Sequence, residues 1–435
     1  MRLRSIAPFL ALSAVALAAP VFAETSLTLV TASQQKIDQA ANALVADPAV
    51  KAARDAVVKS WSELPIASTK DGKEQLEGAV DDLVYASARD AVERNQFNPA
   101  IYWTETPPYK VGADAAPGGR FGVDTADRIY RAVSVSPSLR YVIRGQRGAQ
   151  PSNRDFLIEV HQNFVSRVLT SLWAKDVDVG PDGSFVITAD STPANGRRNH
   201  LTLPEGASSL LIRDTLADWN SQLPNRLTIE VVGGAEPPHG SPEQTRAEAV
   251  ANIDVFAKLN IKFLNDFAKT PANEIKLAVR GGEEGVVGNI IGVGRFSIKD
   301  DEALVATLDP QTAAYLGFQL SDPWGRSIPY WDNVSGLSNR QARKNADGTI
   351  TYIVAPRDPG YANWVDTTGL HDGLATVRFE DFTKADIDKI VRQWKLVKVA
   401  DLAQNLGDGA ARVTPAERAA ELAARKAGFD KRLTN

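Results

Sequence analysis

DGSFVITADSTPANGRRNHLTLPEGASSLLIR, residues 182–213, is answered further along by DGTITYIVAPRDPGYANWVDTTGLHDGLATVR, residues 347–378. Asp182-Gly183 aligns with Asp347-Gly348, Asn199 with Asn363 and Arg213 with Arg378, at offsets of 165, 164 and 165 residues. One residue of slip over such a span marks one structural unit used twice, with a small loop change between copies. Asp-Gly leading into alternating apolar residues reads as a hairpin turn entering a strand. The repeated stretch therefore predicts a tandem β architecture.

Outward from the repeat, the apolar period is two from about Asp127 onward. Tyr141–Gly145, Asp155–Val160, Leu169–Trp173, Phe185–Thr188, Ser209–Arg213 and Leu227–Val232 read as the strands of the first copy. Asn289–Val293, Ala303–Leu308, Tyr315–Leu320, Ile350–Val354 and Ala375–Arg378 read as those of the second. Short strands with frequent turn signals favour antiparallel sandwiches over a βαβ fold. Helical spacing occupies residues 24–100, with Ser33 as an N-cap and a break at Asp71-Gly72. It returns between Pro242 and Lys269, and again in Asp386–Leu396 and Thr414–Lys426. The expected class is α+β, with a segment 1–23, a helical region 24–100, a first β-sandwich 101–240, a helical linker 241–280, a second β-sandwich 281–383 and a helical tail 384–435.

Segment 1–23 looks like a secretory signal. Arg2 and Arg4 precede an apolar run, Ile6–Ala19, and Val21-Phe22-Ala23 supplies small residues for cleavage after Ala23. The run is shorter than the ~20 residues that span a bilayer. A periplasmic or secreted protein without stable membrane insertion is expected. The 435 residues contain no cysteine, which excludes disulfides, thiolate metal sites and a thiol nucleophile. A net charge of −4 weighs against nucleic acid as a partner.

Candidate chemistry gathers in the second copy. Asp322–Arg343 holds the densest mixture of aromatic and polar residues: Trp324, Arg326, Tyr330, Asn333, Asn339 and Arg340 among them. Rings set beside fixed donors and acceptors suit a saccharide or another polar ring compound. Asn363 and Trp364 extend that set, although an Asn repeated in both copies also suits a turn device. Arg213 and Arg378 end their strands and either pair with a carboxylate or hold an anionic ligand. His371 and His161 are the candidate general bases, with Arg378 as a charge stabiliser. His161, His200, His239 and His371 show no metal-binding spacing, so neither a metal nor a cofactor is expected. The glycines of Gly288–Arg295 lack the Lys-Ser/Thr of a phosphate loop and read as turn residues.

Residues 303–378 resemble the DUF1214 domain. The resemblance rests on Tyr315–Leu320, Asp322-Pro323-Trp324, Ser327, Tyr330, Ser338-Asn339-Arg340-Gln341-Ala342, Asp347-Gly348, Asp358-Pro359-Gly360, Asn363-Trp364 and Arg378. The first copy resembles it more weakly: it lacks the DPW motif, and His200 stands at the place of Trp364. The resemblance implies a jelly-roll-like β-sandwich and brings no activity with it. Three functions stay open: a binding protein for a small polar or saccharide ligand, a hydrolase or lyase with a His base and an Arg charge stabiliser, and a non-catalytic envelope scaffold.

Overall fold

Thr31, Asp47 and Thr69 each accept a hydrogen bond from a backbone N–H two or three residues on, and each starts a helix. In the computed structural model, which describes residues 28–111, 114–148, 155–162, 167–234, 240–280, 289–382, 385–406 and 411–433, these are α1 (Ala32–Val45), α2 (Pro48–Ser62) and α3 (Lys70–Glu93). Asp71-Gly72 lies in the first turn of α3, so the expected break is a helix start. The cap of α1 is Thr31, two residues before Ser33. Residues 1–23 and His239 lie outside the described residues.

The first copy contains β1 (Tyr102–Thr104), a small hairpin β2 (Tyr109–Val111) and β3 (Asp114–Ala116), β4 (Arg128–Ser134), β5 (Tyr141–Gln146), β6 (Asp155–His161), β7 (Val168–Trp173), β8 (Ser184–Asp190), β9 (His200–Thr202), β10 (Ser209–Thr215) and β11 (Arg226–Val231). α4 (Pro242–Phe267) follows, started by a full capping box between Ser241 and Gln244. The second copy is β12 (Ile275–Arg280), β13 (Asn289–Ser297), β14 (Glu302–Leu308), β15 (Tyr315–Ser321), β16 (Gly336–Ser338), β17 (Ile350–Ala355), β18 (Trp364–Asp366), β19 (Asp372–Glu380) and β20 (Val391–Lys398). α5 (Leu402–Leu406) and α6 (Pro415–Asp430) complete the chain.

Among the described residues the two copies share one topology. The first pairs its strands β1-β4-β10-β6-β7 and β11-β5-β8-β9; the second pairs β12-β13-β19-β15-β16 and β20-β14-β17-β18. Each copy is a sandwich of one five-stranded and one four-stranded sheet, antiparallel except for the short β8–β9 and β17–β18 pairs. Ile158, Ile187 and Ile212 fill the first sandwich, and Leu304, Phe318 and Val377 fill the second.

The repeated residues prove to be fold devices. Asn199 and Asn363 both take left-handed backbone, at φ +53° and +55°. Each reaches back to an earlier residue with both ends of its amide: Asn199 to the N–H and C=O of Asp178, Asn363 to those of Arg343. Asn tolerates this backbone better than most residues and closes the loop with two extra bonds. Asp182 and Asp347 likewise accept from the N–H and hydroxyl of Ser184 and Thr349 across their hairpin turns.

Two helical expectations change. Asp386–Leu396 is not a helix: a single 3₁₀ turn at Ile387–Lys389 leads into β20, which pairs with β14 as β11 pairs with β5. Its apolar stripe fits a strand laid on the second core, where Trp394 packs at 6.0 Å from Phe318. α6 is the expected tail helix, but it is docked on the body of the protein. Arg418, Arg425 and Phe429 of this helix are buried, and Arg425 lies 4.0 Å over Trp219 of the first copy. Just beyond α6, the carbonyls of Arg432 and Leu433 accept from the Leu29 N–H (2.8 Å) and the Thr28 hydroxyl (2.6 Å).

α4 is more than a connector. It packs along α2 and α3, and this helical layer closes one side of the junction between the sandwiches. The stretch Arg120–Arg128 ties the copies directly: Asp124 accepts from Ser327, Asp127 accepts from Tyr315, and Arg128 pairs with Glu380.

Candidate functional site

The outer faces of the two five-stranded sheets look toward each other. Alternation turns Arg128 and Tyr130 of β4, Glu159 and His161 of β6, and Arg213 of β10 away from the first core. From the second copy, Asn289 and Ile291 of β13 and Arg378 and Glu380 of β19 face back. Phe256 and Phe263 of α4 cover one side, and Glu105 and Phe121 another. Together these residues line a cavity of about 540 Å³. Small-molecule sites usually occupy roughly 300–1,000 Å³.

Its charges are arranged in linked pairs. Arg213 donates to Glu159 at 2.5 Å, and its guanidinium lies 5.9 Å from the centre of the Tyr130 ring. His161, with its side chain 5% exposed, has Nε2 3.3 Å from the same Glu159 oxygen. Its buried Nδ1 has no hydrogen-bond partner. Burial alone would push the Glu159 carboxyl up, but Arg213 and then His161 hold it down at about 2. Arg378 donates to the Val123 carbonyl at 2.7 Å and to the Thr376 hydroxyl at 3.0 Å. The buried Glu380 Oε2 and Arg213 Nε are also without a partner.

Glu105 is the unusual member. It sits half-buried on left-handed backbone at φ +49°, a conformation that costs a non-glycine residue free energy and recurs at functional sites. Burial, then the nearby Asp124 charge, pushes its carboxyl up to about 8, against the pull of Arg213, Arg378 and Arg128. That shift favours the protonated carboxyl, which can donate a hydrogen bond. Burial also pushes the Tyr130 phenol up, against the pull of Arg128 and Arg378. The arrangement can hold a polar ring between aromatic walls and satisfy an anionic group. His161, held by Glu159, is the histidine among the lining residues.

Of the residues expected from sequence to form a site, His161 and Arg378 line this cavity. The aromatic-rich segment does not; it packs against protein. Trp324 is buried in the helical layer, stacked on Trp61 at 5.0 Å, and donates to the Gly72 carbonyl at 2.7 Å. Arg326 is clamped by Asp322, Asp82 and Gln75. Tyr330 is buried edge-on to Trp219 and Phe429. Asn333 and Asn339 donate to the carbonyls of Pro329 and Ala314, while Arg340 is exposed. Asn363 is spent on the loop device described above, and Trp364 is buried with its N–H on the Ala355 carbonyl. Trp324, Arg326, Tyr330 and Trp364 lie in the seam by which the second sandwich docks on the helices and on α6.

His161, His200 and His371 do not converge. His371 pairs with the exposed Asp300 at 3.0 Å and does not line the cavity. His200 is held by the Thr188 hydroxyl and the Thr192 carbonyl, both at 2.8 Å. Among the described residues no cluster of His, Asp and Glu is placed to hold a metal ion. Sequence reading missed Glu105, Arg128, Tyr130, Glu159 and Glu380. The available signal was polar residues alternating on the outer face of central strands, as in Arg128-x-Tyr130 and Glu159-x-His161.

The fold has a solved relative. A crystal structure of an uncharacterized protein from Burkholderia cenocepacia matches with a TM-score of 0.65 at 21% identity, covering 85% of this chain and 99% of that one. A protein from Vibrio parahaemolyticus matches with a TM-score of 0.39 at 8% identity, over 63% of this chain and 90% of that one. The first likeness shows a common fold and nothing of activity. No family model and no curated protein matches the chain.

Proposed function

We propose that this protein is exported and binds a small polar ring compound, a saccharide derivative or another polar ring, in the cavity between its sandwiches. The observation that carries this reading is the cavity itself: aromatic walls from Tyr130, Phe256 and Phe263 around a linked set of arginines and carboxylates. Such a mixture covers a ring face and fixes its substituents. The signal-like segment 1–23 supports export, and the DUF1214-like motifs of residues 303–378 belong to the same proposal as its family assignment.

The test uses an occluding variant. Val168 lines the cavity from edge strand β7 and is 43% exposed, so Val168→Trp fills space without disturbing the core. Calorimetry of the purified protein against a panel of sugars, sugar acids and aromatic metabolites should find a compound that binds wild type and not this variant. Binding that survives Val168→Trp places the ligand elsewhere and ends this reading.

A second reading, a hydrolase or lyase, draws on one observation: His161 has a carboxylate on one ring nitrogen and no partner on the other. In that reading His161 takes the proton and Arg213 or Arg378 neutralises developing charge. Turnover of a bound compound by wild type, lost in His161→Gln with binding retained, would establish it.

A further inference from the structure

We propose that the cavity selects ring compounds carrying a carboxylate, held between the two repeat-related arginines, Arg213 and Arg378, and that it rejects their neutral analogues. This rests on the binding reading above and adds the chemical class of the ligand.

Topology supplies the first argument. Arg213 and Arg378 occupy the same position in the central strand of their respective five-stranded sheets: Arg213 opposite Tyr130 of β4, Arg378 opposite Ile291 of β13. The two sheets face each other, so one repeated residue delivers a guanidinium from each side of one cavity. Two planar cations on opposite walls suit an anion with several acceptor lone pairs, and a carboxylate accepts from guanidinium groups with good geometry.

Charge balance supplies the second. The inner cavity holds the guanidiniums of Arg128, Arg213 and Arg378 against the carboxylates of Glu159 and Glu380. Lys262 and Asp266 of α4 offset each other formally. Glu105 would even the count if ionised, but burial, and then the Asp124 charge behind it, push its carboxyl up to about 8. Among the lining side chains one positive charge is then left over in a space walled by aromatic rings, where an unmatched charge is costly and a ligand anion is favoured.

Unmet hydrogen bonding supplies the third. Arg213 Nε and His161 Nδ1 are buried on cavity-lining residues without a partner. Buried polar atoms in native structures are rarely left so, and each unmet one costs about 1–3 kcal/mol. A ligand with an anionic end for the Arg213 N–H and a ring hydroxyl for the His161 ring nitrogen offers groups for both. A neutral sugar meets these groups without meeting the charge.

The experiment compares matched pairs: glucuronate with methyl glucoside, and 4-hydroxybenzoate with 4-hydroxybenzamide, titrated into wild type by calorimetry and ligand-observed NMR. The expected result is that at least one acid binds and its neutral partner binds tenfold or more weakly, with affinity falling as salt is raised. Which pair responds separates a sugar acid from an aromatic acid. Arg378→Gln and Arg213→Gln should each lower affinity for the acid at least tenfold. Arg213→Lys keeps a charge against Glu159 and guards against a folding defect, and should recover part of the loss. If neutral compounds bind as well as acids and Val168→Trp abolishes both, the binding reading stands and this inference falls. If acids bind equally well to Val168→Trp, both fall.

Discussion

The two sandwiches are built alike and furnished differently. Strand order, the left-handed Asn and the Asp-Gly hairpin recur in both. The outward positions of their facing sheets do not: Arg128 and Tyr130 of the first copy correspond to Asn289 and Ile291, and Glu159 and His161 to Gln319 and Ser321. Where the second copy has Glu380, the first has Thr215. The first sheet brings Arg128, Glu159, His161 and Arg213 to the cavity. The second contributes one arginine and one glutamate, and turns Gln319 to the backbone at Ala126 and Ser335. Devices that make the fold recur because both copies need them. Arg213 and Arg378 recur as well, and because the copies face one another the doubled residue arrives twice at one cavity.

The strongest way to break this comparison is at the seam. Trp324 has its partners on the helical layer, and Trp324→Ala empties a fully packed site, at a cost of about 3–5 kcal/mol. Urea denaturation should show that loss. A cost under 1 kcal/mol would mean that Trp324 does not hold the second sandwich to the helices.

The Asn pair sharpens the comparison. Asn363→Ala loses three backbone contacts at a buried site and leaves alanine on left-handed backbone, a loss of about 2–3 kcal/mol. Asn199→Ala removes two such contacts nearer to solvent, and about 1 kcal/mol is expected. Equal costs in thermal unfolding would show that neither burial nor the third bond sets the value of the device.

The cavity carboxylates differ in sign. Glu105 is pushed up to about 8, so the folded state holds a proton that the unfolded chain releases near the ordinary glutamate value. Its contribution to stability is present at low pH and is lost as pH rises from about 4.5 to about 8. Glu159, held at about 2, contributes above the ordinary value and loses that contribution as pH falls toward 2. Between pH 6 and 8.5, wild type should therefore lose on the order of 1 kcal/mol that Glu105→Gln retains. Glu93, also pushed up to about 8 by burial, is present in both proteins and cancels in the difference. Identical pH profiles would remove Glu105 from the account.

Smallest are two surface residues that the sequence recommended, Arg340 from the aromatic-rich stretch and His371 as a general base. Arg340→Ala should change stability by less than about 0.5 kcal/mol, and His371→Ala by less than about 1 kcal/mol, since each lies at the surface. Neither should alter ligand affinity in calorimetry. A clear loss with Arg340→Ala would restore the aromatic-rich stretch as a binding surface, and one with His371→Ala would restore that base.

The tandem sheets and the capped α4 were legible because turn residues and apolar period are local signals. The docking seam was not, because a ring in sequence does not say whether its face meets a ligand or another protein surface; Trp324 meets Trp61. β20 was misread because Ile387, Ile390, Val391 and Trp394 fit a helical stripe over so short a run, and only pairing with β14 decides the matter. The cavity was half legible. His161 and Arg378 were singled out, but the residues around them come from strands far apart in sequence, and no local spacing links Glu105 to Glu380.

The clasp of Thr28 and Leu29 onto Arg432 and Leu433 joins residues about four hundred positions apart, 405 in the case of the Thr28 hydroxyl. A ribosome delivers its two halves far apart in time. The lead into α1 can therefore be clasped only after α6 has emerged, and a chain stopped before α6 would leave Thr28 and Leu29 unlatched.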